Sequence, residues 1–228
     1  NYDQLVRPYL PLLLGGKPAR QCHVLEIGCG TGRMTRWFAA HFGRVTAVDV
    51  SGEMIRQASK ELADRPNLAL RVNSGYDLAG LPDAAFHLAF SYIVFQHVPS
   101  RAVIGNYIRE TARVLKSGAY FKFQVNGSRP TGRPARDPDT WLGEAFSRAE
   151  ILEILAAAGF SLVAAEGEGT QYFVITARKG PMPEAALNSC FLAGEKRAAE
   201  RIQAGLGDAV EGSWRPIEGI TRIRLLVP

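Results

Sequence analysis

Residues 24–42 read VLEIGCGTGRMTRWFAAHF: an apolar run of β type, three glycines within five residues, then apolar positions at helical spacing. A strand that feeds a glycine turn and a helix implies a parallel sheet, because the helix must run back across the sheet before the chain can add its next strand. The same turn brings backbone N–H groups and a helix N-terminus to the carboxyl edge of that sheet, where they can hold an anionic or dipolar ligand. The glycines alone do not say which ligand.

The rest of the chain repeats the alternation of strand and helix. Residues 2–14 carry a leucine-rich helical pattern that Pro8 and Pro11 shorten or kink. A strand is expected over 22–27 and a helix over 32–42, its buried face holding Met34, Trp37, Phe38 and Phe42 and its end marked by Gly43. RVTAVDV is a second strand, Ser51 caps a helix running to about Asp64, and LALRVNS is a third strand. FHLAFSYIVF is the fourth, followed by a helix from Ser100 with Ile104, Tyr107, Ile108, Ala112 and Leu115 at helical spacing, ended by Gly118. AYFKFQV is the fifth, and a Gly/Pro/Arg-rich loop spans 126–141. Ser147 and Glu150 form a capping box for a helix closed by Gly159, and FSLVAAE with TQYFVITAR closes the sheet as an antiparallel pair. Residues 180–228 form an extension, a helix over about 184–204 and an apolar tail, packed on the 1–179 domain or on a partner.

Composition narrows the class of protein. With 228 residues, 46% of them hydrophobic, the chain can bury one full-sized core and a small appendage. Its longest apolar stretch, residues 87–95, falls far short of the roughly 20 residues of a membrane span. Three cysteines, Cys22, Cys29 and Cys190, without C-x-x-C spacing point to a reducing, cytoplasmic setting, and no His/Cys/carboxylate cluster proposes a metal. A net charge of +5 is modest for this length and does not single out nucleic acid as a partner.

Three ligand classes compete for the glycine turn. A dinucleotide fingerprint needs a small residue where Arg33 stands, and a phosphate-binding P-loop needs a lysine that does not follow Gly32. What remains is an acid two residues ahead of alternating glycines: EIGCGTG, with Glu26 before Gly28, Cys29, Gly30 and Gly32. A carboxylate there suits an ammonium, and glycines suit close backbone approach to a ligand without phosphate. Asp49, at the end of the second strand, suits the ribose hydroxyls of any adenosine cofactor.

EIGCGTG, the acid at Asp49 and the run IVFQHVP after the fourth strand together resemble the class I S-adenosylmethionine-dependent methyltransferases of the small-molecule branch. The resemblance spans residues 20–178 and implies an α/β, Rossmann-like, doubly wound seven-stranded sheet of order 3-2-1-4-5-7-6 with the last strand antiparallel. It implies S-adenosylmethionine as cofactor, held by Glu26, Gly28, Cys29, Gly30, Gly32 and Asp49, with Val50, Met54, Gly75 and Tyr76 along the adenine. The adenine amino group is left to backbone, Asn73, Ser74 or, with a shifted register, Asp77. Ser91 and Tyr92 fall near the sulfonium end, Tyr92 also as a candidate substrate contact, and Gln96 and His97 at the mouth facing the acceptor.

His97 is the candidate general base; its other role is to hydrogen-bond the loop and start the next helix. Arg129, Arg133 and Arg136, with Trp141, are candidates for an anionic acceptor or for a solvated loop. The [DNS]-P-P-[YFW] signature of enzymes that methylate base or amide nitrogen is absent. The expected partner is therefore a small-molecule acceptor rather than nucleic acid, with a homodimer compatible with the chain. An RNA methyltransferase, a non-catalytic binding module and an NAD-dependent oxidoreductase are the rival readings.

Overall fold

A computed structural model describes residues 6–128 and 143–181. Arg129, Arg133, Arg136 and Trp141 lie outside the described residues, as does the expected extension beyond Pro181. A 3-10 turn over Arg7–Tyr9 and the four-residue helix α1 (Leu10–Leu13) lead into β1 (His23–Ile27), α2 (Arg33–His41), β2 (Arg44–Asp49) and α3 (Gly52–Glu61). Next come β3 (Leu68–Val72), β4 (Phe86–Ser91), a 3-10 turn over Phe95–His97, α4 (Arg101–Val114) and β5 (Leu115–Val125). The described chain finishes with α5 (Arg148–Ala157), β6 (Phe160–Glu166) and β7 (Phe173–Lys179).

The seven strands lie in the order β3-β2-β1-β4-β5-β7-β6, parallel except for β7, which pairs antiparallel with both β5 and β6. This is the expected Rossmann-like order. Alternation along each strand divides the core between two faces. Leu25 and Ile27 pack with Ile104, Tyr107 and Ile108 of α4 and Ile151 and Leu155 of α5. Val24 packs on the other face with Met34 and Phe38 of α2 and with Val6, Tyr9, Leu13 and Leu14.

Several caps form as the residue types dictate. Ser51 Oγ accepts from Met54 N–H at the start of α3, and Ser147 and Glu150 close the capping box of α5. Two boundaries differ from the expectation. β4 stops at Ser91 rather than running to residue 95, because Ile93 takes a left-handed φ of 58° that ends pairing. Gly118 does not end α4 but lies inside β5, at φ 79°, where the β4–β5 register shifts between Phe86 and Leu88. Gly43, by contrast, has no left-handed backbone; a Cβ there would meet the Arg20 carbonyl oxygen at 2.0 Å, so close approach is what it serves.

A charge is buried in the middle of the sheet. Lys122 of β5 is covered by the N-terminal segment, its Nζ 3.9 Å from the centre of the Tyr9 ring. It donates to Thr176 Oγ1 at 3.2 Å and lies 3.7 Å from Glu166, whose carboxylate also accepts from Tyr9 Oη at 3.0 and 3.1 Å. Burial pushes the Lys122 ammonium below its usual range, and Glu166 opposes that.

Candidate functional site

The glycine turn is a left-handed loop wedged between strands. Gly28, Gly30 and Gly32 have φ of 76°, 54° and 87°, a region that side-chain-bearing residues avoid. Gly28 N–H and Cys29 N–H both donate to the Val48 carbonyl, at 2.8 and 3.1 Å, which ties the exit of β1 to β2. A Cβ on Gly28 would meet Val94 at 2.2 Å, so the loop after β4 is pressed directly on the glycine turn. Gly32 packs on the Leu62 and Ala58 side chains, whereas Arg33 is exposed. Close helix packing therefore falls one residue earlier than in a dinucleotide fingerprint.

Two carboxyl groups flank this turn. Glu26 is 4% exposed, points under α2 and accepts from Thr35 Oγ1 at 2.6 Å. Burial pushes its carboxyl up to about 8, the Thr35 hydroxyl pulls it back down, and the Asp49 carboxylate raises it further. Asp49 accepts from Gly30 N–H at 2.8 Å through Oδ2 and from Ser51 N–H at 2.9 Å through Oδ1. It thus organises both the glycine turn and the start of α3. Cys29 is buried, and burial pushes its thiol up, so it contributes main chain rather than a thiolate.

Beyond Asp49 the surface turns apolar. Val50 is 63% exposed and Tyr76 52%, and a Cβ on Gly75 would sit 3.7 Å from Val50. Val50 and Gly75 thus meet on the lip beside β2, where the adenine is expected; Met54 follows in the first turn of α3. Asp77 is engaged in its own turn, accepting from Ser74 Oγ at 2.7 Å and Ala79 N–H at 3.2 Å. Ser74 Oγ also accepts from Tyr76 and Asp77 N–H. Asn73 differs: its Nδ2 donates to Tyr107 Oη at 2.7 Å, but its Oδ1 is buried and unsatisfied.

Across the turn, Ser91 ends β4 with its Oγ buried and unpartnered. Tyr92 is half-buried against the α2 side of the core. Gln96 is not at an open mouth but 8% exposed and turned inward, accepting from Gln124 Nε2 at 2.5 Å. Its own Nε2 lies 3.0 Å from His97 Nε2. Gln124, Ile93 and the unsatisfied Asn73 oxygen have no counterpart among the sequence expectations for cofactor and acceptor contacts, apart from the naming of Asn73 as one adenine reader. Gln124 was legible only as a polar residue alternating with Lys122 in AYFKFQV.

The residues present fit S-adenosylmethionine. The ligand carries an ammonium and a sulfonium, and this edge offers two carboxyl groups, Glu26 and Asp49. A pyrophosphate in the same turn would compete with the Asp49 carboxylate for the Gly30 N–H. Of the three buried side-chain polar atoms without a partner among the described residues, Asn73 Oδ1 and Ser91 Oγ lie on this edge. An acceptor at the end of β3 suits an adenine amino group, and a buried polar atom without a protein partner is uncommon.

A groove of about 520 Å³ lined by Arg33, Arg36, Arg56 and Lys60 lies on the outer side of α2 and α3. Its arginines Arg36 and Arg56 are paired with Glu61 and Glu53, as on a solvated charged face. Among the described residues no group of three or more His, Cys, Asp or Glu is placed to hold a metal ion, and no helix is long and apolar enough to cross a membrane.

Residues 25–123 match the methyltransferase domain family. The malonyl-[acyl-carrier protein] O-methyltransferase of Pseudescherichia vulneris is 33% identical over 135 residues, 57% of this chain and 50% of that protein. The ubiquinone biosynthesis O-methyltransferase of Xanthomonas oryzae pv. oryzae is 33% identical over 96 residues, 42% of this chain and 39% of that protein. The chain spans about half the length or less of these curated relatives. Among solved structures, an S-adenosylmethionine-dependent methyltransferase from Methanosarcina mazei superposes with a TM-score of 0.56 at 24% identity, over 72% of this chain and 94% of that one.

Proposed function

We propose that this chain, which belongs to the class I S-adenosylmethionine-dependent methyltransferases, transfers the cofactor's methyl group to an oxygen of a small, anionic acceptor. Glu26 carries the reading: a carboxyl group 4% exposed, behind a glycine turn, has a use when an ammonium arrives to share its burial. Oxygen as the acceptor atom is supported by the two relatives above, both O-methyltransferases.

S-adenosylmethionine supplies an electrophilic methyl group on its sulfonium, so the protein's work is binding and alignment. Glu26 meets the α-ammonium, the N–H groups of the Gly28–Gly32 turn approach the amino-acid end, and Asp49 takes the ribose hydroxyls. Val50, Met54, Gly75 and Tyr76 flank the adenine, with Asn73 Oδ1 accepting from its amino group. Ser91 Oγ lies toward the sulfur. Tyr92 and the Gln96–His97 pair are assigned to the acceptor side, and the arginines at 129, 133 and 136 with Trp141 are assigned to an anionic acceptor from the sequence alone.

Calorimetry and labelled transfer test the proposal together. S-adenosylhomocysteine is expected to bind, NADH is not, and methyl label is expected in a small-molecule fraction rather than RNA. Binding without transfer would identify a non-catalytic module. NADH binding without S-adenosylhomocysteine binding would restore the oxidoreductase. Because Glu26 is held protonated up to about pH 8, cofactor binding at pH 7 should release a proton, read from the buffer dependence of the binding heat.

A further inference from the structure

Gln124 is fully buried in β5 and saturates its amide with defined partners. Its Oε1 accepts from Ile93 N–H at 2.8 Å, and its Nε2 donates to the Gln171 carbonyl at 2.5 Å and to Gln96 Oε1 at 2.5 Å. A backbone N–H can only donate and a backbone carbonyl can only accept, so the Gln124 amide has one orientation. That orientation sends an N–H to Gln96, which must answer with its oxygen and so turns its NH2 toward His97. The separation there is 3.0 Å, from Gln96 Nε2 to His97 Nε2. An amide NH2 offers no lone pair, so His97 Nε2 is the acceptor and the ring carries its proton on Nδ1.

The main-chain end of this relay is itself unusual. Ile93 is a β-branched residue at φ 58°, a conformation that costs on the order of 1–3 kcal/mol and persists where surrounding contacts impose it. Gln124 grips its N–H from one side. On the other side the next residue, Val94, is pressed against Gly28.

We propose that Gln124 is a positioning residue of the methyl-transfer site: through Gln96 it fixes His97 as the Nδ1–H tautomer, which makes this histidine a hydrogen-bond donor and not the general base. The lone pair that a base would use is engaged by Gln96. The acceptor must then reach the site already ionised, as a carboxylate or an acidic phenolate. Its oxygen supplies the electron pair for the new C–O bond as the S–C bond breaks onto sulfur, giving a neutral ester or ether and a neutral thioether, with no proton to remove. The catalytic part of the proposal rests on the methyl-transfer reading; the tautomer does not.

The tautomer is read by long-range ¹H–¹⁵N correlation on the full chain, cofactor-free and ¹⁵N-histidine labelled, with His97 assigned by its loss in His97→Asn. The expected state is Nδ1–H. In Gln96→Glu the carboxylate accepts from both Gln124 and His97, so the tautomer should invert to Nε2–H. Gln124→Met, which removes the amide without unpairing β5, should give a mixture. An Nε2–H ring in the unaltered protein, or one unmoved by Gln96→Glu, overturns the relay. In methyl transfer, His97→Asn keeps a donor near the Nδ1 position and should retain turnover within about tenfold, whereas His97→Gln and His97→Ala should fall by about a hundredfold or more. Equal loss in all three overturns the donor role. If the unaltered protein methylates nothing while His97 carries Nδ1–H, the relay stands and the methyl-transfer reading falls.

Discussion

On the β1–β2 half of the sheet's carboxyl edge, the groups proposed to hold the cofactor, and the residues that hydrogen-bond them, come from one short stretch of chain: Glu26 with Thr35, and Asp49 with the glycine turn and Ser51. On the β4–β5 half, the polar groups are drawn together over long separations, Gln124 bonding to residues 28 and 47 positions away along the chain. The first half stores its cost as a buried carboxyl group, the second as a left-handed isoleucine. Local sequence builds the first group of contacts, and contacts distant along the chain build the second. The two halves touch where Val94 meets Gly28.

The largest expected effect lies at that contact. Gly28→Val combines a left-handed φ with a Cβ 2.2 Å from Val94, and should cost about 3 kcal/mol or more and abolish cofactor binding, as read by chemical denaturation and calorimetry. If affinity survives, the halves are independent. Glu26→Gln should weaken cofactor affinity by about a hundredfold while stabilising the free protein at high pH. The folded-state pKa of Glu26, about 8, lies above the unfolded value, so the stability this group contributes is complete below about 4.5 and is lost as pH rises through 8. Urea unfolding at pH 9 should therefore favour the Gln variant by an amount on the order of 2–4 kcal/mol, shrinking toward pH 5.

The acceptor half predicts a smaller and opposite pattern. Ile93→Asn places a residue tolerant of left-handed backbone at φ 58°, and should leave stability unchanged or raised by about 1 kcal/mol. Turnover should fall more than cofactor affinity; the reverse would move Ile93 to the cofactor half. The smallest effect lies at the amino edge of the sheet, away from both. His23 donates its N–H to His87 Nδ1 at 3.1 Å and pairs with Thr46 Oγ1 at 2.9 Å, and burial lowers its pKa to about 4, with Arg44 adding to the shift. Its contribution to stability is present above about 6.5 and is lost as pH falls through 4, so His23→Gln should flatten the acid limb of a pH–stability curve without touching cofactor affinity.

Legibility follows the same division. The turn at Gly28–Gly32, the acids at Glu26 and Asp49, the Ser51 cap and the Ser147–Glu150 box could be read because each depends on residues a few positions apart. AYFKFQV reads as a strand but does not say what covers it: the N-terminal segment covers Lys122 and Gln96 reaches Gln124. Gln96 likewise belonged by position to the acceptor mouth, and only its inward turn shows what it holds. No periodicity signals a left-handed Ile93, because the contacts that impose it come from β1 and β5.

The strand–turn–helix alternation, and hence the parallel sheet, is written in the sequence, where Glu26 and Arg33 also point to an ammonium rather than a pyrophosphate. Those outcomes rest on backbone sterics and charge within a short span of chain. How deeply Glu26 is buried, which groups at the strand ends lack a partner, and which amide meets the His97 ring appear only in the folded chain. Burial and hydrogen-bond orientation are properties of neighbours, and these neighbours meet only when the sheet closes.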